Sequence, residues 1–203
     1  MTTVVILDYG SGNVRSAQRA VETTGASVTI SADFELALNA DALLVPGVGA
    51  FAACVTGLKN VRGDQIIGRR LAGGRPVLGI CVGMQVLFEN STEHADLGFH
   101  AGLNEWPGTI EKLNAPVLPH MGWNDVKPNE NHPLFKGLEQ EAIFYFLHSF
   151  YFKCKNLSES IAVSDYGITF TSAVNNDNVY GIQFHPEKSH QNGEKLLHNF
   201  AKL

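Results

Sequence analysis

Residues 76–85, Pro76-Val77-Leu78-Gly79-Ile80-Cys81-Val82-Gly83-Met84-Gln85, lead a short apolar run into a cysteine with a glycine two positions to either side. The run has the look of a strand buried on both faces, as strands are in a parallel sheet covered by helices. A helix-like stretch, residues 84–88, follows, so the cysteine falls on the turn from strand to helix. G-x-Cys-x-G in that place is a cysteine version of the nucleophile elbow. Such a turn is so tight that its flanking positions must be small, and it lifts the thiol to the carboxyl end of the sheet. There the N-terminus of the next helix favours a thiolate, and the Val82 backbone N–H faces a developing oxyanion. The plainer alternative is an inert core thiol between two structural glycines.

On either side of this point the first half of the chain alternates. Strands are expected at residues 4–7, 28–30, 42–45 and 76–80, and helices from residue 13 to Gly25, at 34–38 and at 66–72. Val14, Ala17 and Val21 share one face of the first helix. Alternation of this kind implies parallel strands joined by crossover helices. Residues 90–140 are rich in Gly, Pro and Asn, with short strand candidates at 109–112 and 125–127. Strand-like runs at 142–147, 161–163, 170–174 and 179–184 come next, then a closing helix at 194–203 with Leu196, Leu197 and Phe200 at helical spacing. The expected fold is α/β: a mainly parallel central sheet with helices on both faces plus an antiparallel β elaboration, in one domain spanning residues 1–203.

At 203 residues and 44% hydrophobic against 17% charged, the chain has enough apolar surface for a proper core and is not disordered. Fifteen basic against twenty acidic residues, a net charge of −5, argue against a nucleic-acid or anionic-membrane surface. Three cysteines, an odd number, suggest no disulfide framework and fit a reducing compartment. The first residues, MTTVVILDYG, have no basic n-region, so no signal peptide is expected. The most apolar stretch, residues 144–152, is too short to span a bilayer. A cytoplasmic protein is expected.

A cysteine nucleophile needs a base, and the base needs orienting. Phe184-His185-Pro186-Glu187, after the last strand-like run, supplies a candidate. Pro186 holds His185 extended, and residues two apart in an extended segment point the same way, which sets Glu187 beside His185. The carboxylate then fixes the imidazole tautomer. Alone, a His-x-Glu is a weak signal; with the elbow it completes a Cys81, His185, Glu187 triad. Zinc deaminases share H-x-E but need P-C-x-x-C after it, and no cysteine follows Cys154. A cysteine-elbow α/β-hydrolase places its acid before the histidine; Asp165 or Asp177 keeps that order open as the second choice.

These residues resemble the class I, triad-type glutamine amidotransferases. Gly79-Ile80-Cys81-Val82-Gly83-Met84-Gln85 matches the family's nucleophile motif, Phe184-His185-Pro186-Glu187 its partner, and Pro46-Gly47-Val48-Gly49-Ala50-Phe51 its oxyanion loop. Further matching segments are Asp8-Tyr9-Gly10-Ser11-Gly12-Asn13, Pro119-His120-Met121-Gly122-Trp123-Asn124 and Phe146-Leu147-His148-Ser149-Phe150. The resemblance implies that Cys81 attacks the side-chain amide of glutamine, that His185 protonates the departing ammonia, and that water hydrolyses the γ-glutamyl thioester. Val82 N–H with an N–H of Val48 or Gly49 forms the implied oxyanion hole, and Gly49, Gln85, Glu93, His148 and Ser149 the implied glutamine site. It also implies a heterodimer with a separate (β/α)8-barrel cyclase subunit, which uses the ammonia to make imidazole glycerol phosphate and aminoimidazole carboxamide ribonucleotide in histidine biosynthesis. Met121, Trp123, Asn124 and Asn13 are the implied interface. No cofactor and no metal are implied. The other readings are a paralogous glutaminase serving another amination and a non-catalytic regulatory subunit.

Two positions depart from the family pattern: Phe150 stands where Tyr is frequent after His-Ser, and Ser91-Thr92-Glu93-His94 lacks consecutive acids. Elsewhere the expectations are modest. Cys54 falls in a helix-like run with Phe51, Val55 and Leu58 and reads as packing, and Cys154 has no motif. Histidines 94, 100, 120, 132, 190 and 198 show no metal-ligand spacing. Gly10-Ser11-Gly12 lacks the third glycine of a dinucleotide fingerprint, because Arg15 stands there.

Overall fold

The protein is described from a computed structural model, over residues 1–95, 98–129, 131–138, 142–153 and 160–203. Cys154 lies outside the described residues. In chain order the elements are β1 (Thr3–Leu7), α1 (Val14–Glu22), β2 (Ser27–Ser31), α2 (Phe34–Asn39), β3 (Ala42–Gly47), α3 (Phe51–Asn60), α4 (Gly63–Ala72), β4 (Val77–Cys81) and the single turn α5 (Val82–Gln85). Then follow β5 (Phe88–Ser91), β6 (His100–Ala101), β7 (Trp106–Lys112), β8 (His120–Pro128), β9 (Ala142–His148), β10 (Phe150–Lys153), β11 (Ser160–Tyr166), β12 (Ile168–Asn176), β13 (Val179–Ile182) and α6 (His190–Phe200).

Nine strands form one sheet in the order β2-β1-β3-β4-β13-β12-β11-β8-β9. The first five are parallel to their neighbours, and from β13 onward the pairing is antiparallel. The α/β class therefore holds, with the antiparallel part continuing the same sheet. A second sheet, β10-β7-β5-β6, stands beside it. From β1 the chain steps outward to β2, then returns across β1 to β3. With right-handed crossovers that reversal sets α1 on the opposite face from α2, α3 and α4. The helix contacts agree: α1 packs on α6, while α2 and α3 pack on α4. The reversal also makes the carboxyl ends of β1 and β3 a topological switch point, where open α/β sheets hold ligands.

The buried stripes are those the periodicity indicates: Ala17 and Val21 on α1, Leu196, Leu197 and Phe200 on α6, and Phe51, Cys54, Val55 and Leu58 on α3. One expectation fails. The helix-like stretch after Cys81 stops after one turn. The carbonyls of Val86, Leu87 and Phe88 accept hydrogen bonds from Leu103, Glu105, Trp106 and Asn104, so the passing chain takes the acceptors a longer helix would need. All three side chains are buried, which leaves no solvent face for an amphipathic helix.

Arg70 on α4 is fully buried, and its guanidinium donates to the carbonyls of Ala37, Leu38, Ala40, Asp41 and Pro76 rather than to a carboxylate. It ties the C-terminus of α2 and the starts of β3 and β4 to one fork of donors. Burial lowers its pKa to about 10, so it remains a cation at neutral pH. Arg70→Met keeps much of the stem but strands these acceptors, and is expected to cost about 3 kcal/mol. Arg70→Lys, with three donors in a different geometry, recovers only part. Urea unfolding of the variants checks this, and an unchanged midpoint in Arg70→Met would refute it.

Candidate active site

Cys81 ends β4 at φ 55°, ψ −117°, a conformation costly for a residue with a side chain. The surroundings hold it there. A Cβ on Gly83 would run into the Val45 carbonyl of β3, and one on Gly79 would lie 2.7 Å from the Cα of Met84. Backbone therefore packs on backbone at both flanks, the physical reason that the flanking positions must be glycine. The expectation of a full helix behind the thiol is corrected: α5 has four residues, so the aligned dipole is short. What remains is its first-turn amides, which lack helical acceptors, Val82 N–H among them.

His185 is brought to Cys81 from the other side. Its backbone N–H donates to the Tyr145 carbonyl of β9 at 2.8 Å, and its own carbonyl accepts from Ser189 Oγ at 2.6 Å. Its Nδ1 lies 2.8 Å from Glu187 Oε1, with both side chains almost fully buried. His185 is extended as expected, but Glu187 sits in a 3-10 turn, Pro186–Lys188, so the turn and not an extended segment brings carboxylate and ring together. Burial disfavours the charged ring. Hydrogen bonds to Cys81 and Glu187, with their charges, outweigh it and push the His185 pKa up to about 10. Asp165, an alternative acid, is exposed and bonded to Lys127 and Thr169.

Beside these groups is a cavity of about 250 Å³ lined by Val48, Gly49, Cys81, Val82, Gln85, Glu93, Pro119, Leu147, His148, Ser149, Phe150 and His185. Every residue expected in the oxyanion hole and the glutamine site is there. Three details differ from expectation. The Val48 N–H is taken by Ser11 Oγ at 3.0 Å, and the Val48 carbonyl accepts from Ser11 Oγ and Cys54 Sγ. Val48 is thus not a free oxyanion donor in this arrangement, and Gly49, at φ +86°, is the loop residue left to serve. Glu93 spends one carboxylate oxygen on the Phe51 N–H at the start of α3, 2.6 Å away. Cys54, expected as packing, is buried but also touches the loop.

Pro119, Leu147 and Phe150 also join the lining, although the sequence reading gives them no role in the site. The strand-like run expected at 142–147 is β9, whose even positions are buried and whose odd positions, Leu147 among them, face the other way. His148 donates from Nδ1 to the Phe150 carbonyl, leaving Nε2 to accept from His120 Nδ1 at 2.9 Å. His120 Nε2 in turn accepts from the Asn124 amide. Burial lowers His120 to about 4 and His148 to about 3, so this pair is neutral while His185 is charged. Among the described residues no group of three potential metal ligands is found.

Of the expected interface, Met121 and Trp123 are exposed on β8 and stand opposite Leu147 and Tyr145 of β9. Trp123 stacks on His190 and meets Tyr145 edge-on. Ile143 and Leu147, also exposed, extend this apolar face. Asn124 does not share it: its amide bonds His120 and the Asp165 carbonyl on the opposite side of the strand. Asn13 caps α1 without a side-chain hydrogen bond and is half-buried.

A thiol on a strand-to-helix elbow, an imidazole oriented by a carboxylate, and a half-enclosed polar cavity on an α/β sheet make an arrangement suited to cysteine-dependent acyl transfer. The chain belongs to the glutamine amidotransferase class-I family, an enzyme family whose pattern matches residues 5–203. Relatives named imidazole glycerol phosphate synthase subunit HisH match it from end to end. That of Streptomyces avermitilis is 53% identical, over 97% of this chain and 94% of the relative. That of Thermobifida fusca is 52% identical, over 98% and 97%, and that of Corynebacterium diphtheriae 50% identical over the whole of both chains. The fold is similar to a crystal structure of a glutamine amidotransferase, with TM-score 0.75, 18% identity and coverage of 98% of this chain and 99% of that one. It is also similar to a structure of PurLQS from Thermotoga maritima, with TM-score 0.72, 16% identity and coverage of 99% and 98%.

The His185 proton provides a direct check. Glu187→Gln removes the carboxylate and is expected to move the ring's titration from about 10 toward its ordinary value of about 6.5. NMR of labelled imidazole reads the midpoint. In the parent, the stability that this ring contributes is complete below about pH 6.5 and lost as pH rises through about 10; the variant loses it at lower pH.

Proposed function

We propose that this chain is the glutaminase subunit of an imidazole glycerol phosphate synthase, hydrolysing glutamine and passing ammonia to a (β/α)8-barrel cyclase subunit in histidine biosynthesis. The observation that carries the chemistry is His185, held 2.8 Å from Glu187 and sharing with Cys81 the wall of one cavity. The end-to-end similarity to subunits of that name supports the pathway.

In the proposed reaction the Cys81 thiolate, its proton resting on His185, bonds through Sγ to the side-chain carbonyl carbon of glutamine, and the carbonyl electron pair moves onto oxygen. Val82 and Gly49 N–H groups stabilise that oxyanion. Collapse breaks the C–N bond as His185 gives its proton to the departing nitrogen. Water, losing a proton to His185, then attacks the thioester; glutamate leaves and the sulfur is released. Gln85, Glu93, His148 and Ser149 hold the amino-acid end of the substrate, and residues 1–203 act as one glutaminase domain. The apolar face of Met121, Trp123, Ile143 and Leu147 docks the cyclase. Leu147 belongs to both that face and the cavity, so ammonia is released beside the partner. Among the described residues no helix is long and apolar enough to cross a membrane, which accords with the proposed cytoplasmic location.

Glutamate release, with and without a cyclase subunit carrying its nucleotide substrate, tests the proposal. Strong activation by the loaded cyclase is expected, and activity indifferent to it would sink the pathway assignment. Cys81→Ala is expected to lose at least about 10³-fold in glutamine-dependent turnover while the complex still uses free ammonia. Trp123→Ala is expected to weaken assembly roughly 30-fold with an unchanged unfolding midpoint, and calorimetric titration with the cyclase measures it.

A further inference from the structure

We infer that Gln183 is an additional catalytic residue, whose side-chain amide donates a hydrogen bond to the Cys81 sulfur, and that Gln85 is the positioning residue that fixes the direction of that amide. Gln183 follows β13, is 1% exposed and forms no part of the cavity wall. Its Nε2 lies 3.6 Å from Cys81 Sγ, and its Oε1 lies 2.9 Å from Gln85 Nε2. Gln85 Nε2 is also 2.9 Å from the Phe150 carbonyl.

The proton order along this path is determined by its end. A backbone carbonyl only accepts, so the Gln85 group facing Phe150 must be the NH₂. The same NH₂ then supplies the donor to Gln183, which must present its oxygen to Gln85. That turns the Gln183 NH₂ toward the sulfur. A flipped Gln183 would set nitrogen against nitrogen at Gln85 and oxygen against sulfur, leaving buried donors unmatched. A buried donor aimed at the nucleophile stabilises negative sulfur both before attack and when the thioester breaks. Gln183 and His185, two residues apart, thus both approach Cys81, Gln183 as a donor to the sulfur and His185 as its neighbour in the cavity wall. Gln85 gains a second duty beside its proposed substrate contact: its nitrogen is occupied by protein, leaving Oε1 for the ligand.

The other titratable groups around the sulfur are His185 with Glu187 behind it, His148 on β9, Tyr9 after β1, Cys54 on α3 and Glu93 across the cavity. Among the described residues the side-chain hydrogen bonds of Gln183 go to Gln85 and Cys81, so replacing it leaves those groups in place.

The inference rests on Cys81 as nucleophile, and alkylation separates the two claims because it needs no glutamine turnover. The full chain is treated with iodoacetamide across pH, and mass spectrometry of the Cys81 peptide gives the rate. Gln183→Met is expected to raise the pH midpoint of alkylation by about one unit. Gln183→Glu, which keeps the shape but sets a carboxylate against the sulfur, is expected to raise it further. In the cyclase complex kcat for glutamine falls roughly tenfold in Gln183→Met with little change in KM, since the side chain does not line the cavity. Profiles that superimpose on the parent's in whichever variant folds would overturn the inference and leave the triad standing. A parent whose Cys81 resists alkylation at every pH would overturn the nucleophile assignment itself.

Discussion

The structure turns on one close approach. The elbow after β4 lies against β3 so tightly that a single carbon on Gly83 would occupy the place of the Val45 carbonyl. This contact holds Cys81 at a positive φ and points its side chain out of the sheet's carboxyl end. The same end collects the Pro46–Gly49 loop, because β3 and β4 run parallel with Gly47 opposite Cys81. Tyr9, after β1, donates to the Pro46 carbonyl at 2.5 Å, and Ser11 grips the Val48 peptide. The first loop thereby steadies the Pro46–Gly49 loop, and both follow from the switch in strand order at β1 and β3.

Around the cysteine the imidazoles divide by charge. His185 has a buried carboxylate and the thiol as partners, and it is protonated well above neutral pH. For His148 and His120 burial decides, and for His148 the neighbouring His185 charge adds to it, so both rings are neutral. One ring is thus a cation with a proton to give, as the proposed reaction requires of it, while its neighbours are neutral. Among the described residues Glu187 Oε2 finds no hydrogen-bond partner, so the electrostatic demand of that carboxylate is directed at His185.

Much of this is legible in the chain. The parallel half is readable because its strands are continuous apolar runs and its helices carry apolar residues at helical spacing. The proposed triad is readable because Cys81 lies between obligatory glycines and His185 precedes a proline and an acid. The short strands β5, β6 and β10 are not, since two to four residues carry too little periodicity. The single turn of α5 is hidden because residues 84–88 have good helical composition, and only the chain at 102–106 takes their carbonyls. Gln183 is silent beside a louder His185. A lone glutamine at a strand end has no sequence signature, and its role depends on Gln85 and Phe150, about 98 and 33 residues away.

The sequence by itself determined the local chemistry: where a side chain is impossible, where a proline sets an extended histidine, which faces are apolar, and hence an α/β chain with a cysteine elbow. Those are constraints between neighbours, and neighbours are visible in one dimension. Tertiary structure alone decided which donors and acceptors meet: Val48 committed to Ser11, Glu93 to the start of α3, Asn124 turned inward to His120 while Trp123 faces out, and Gln183 aimed at the sulfur. Hydrogen bonds are short and directional. Which of them form depends on the three-dimensional register of strands far apart in the chain.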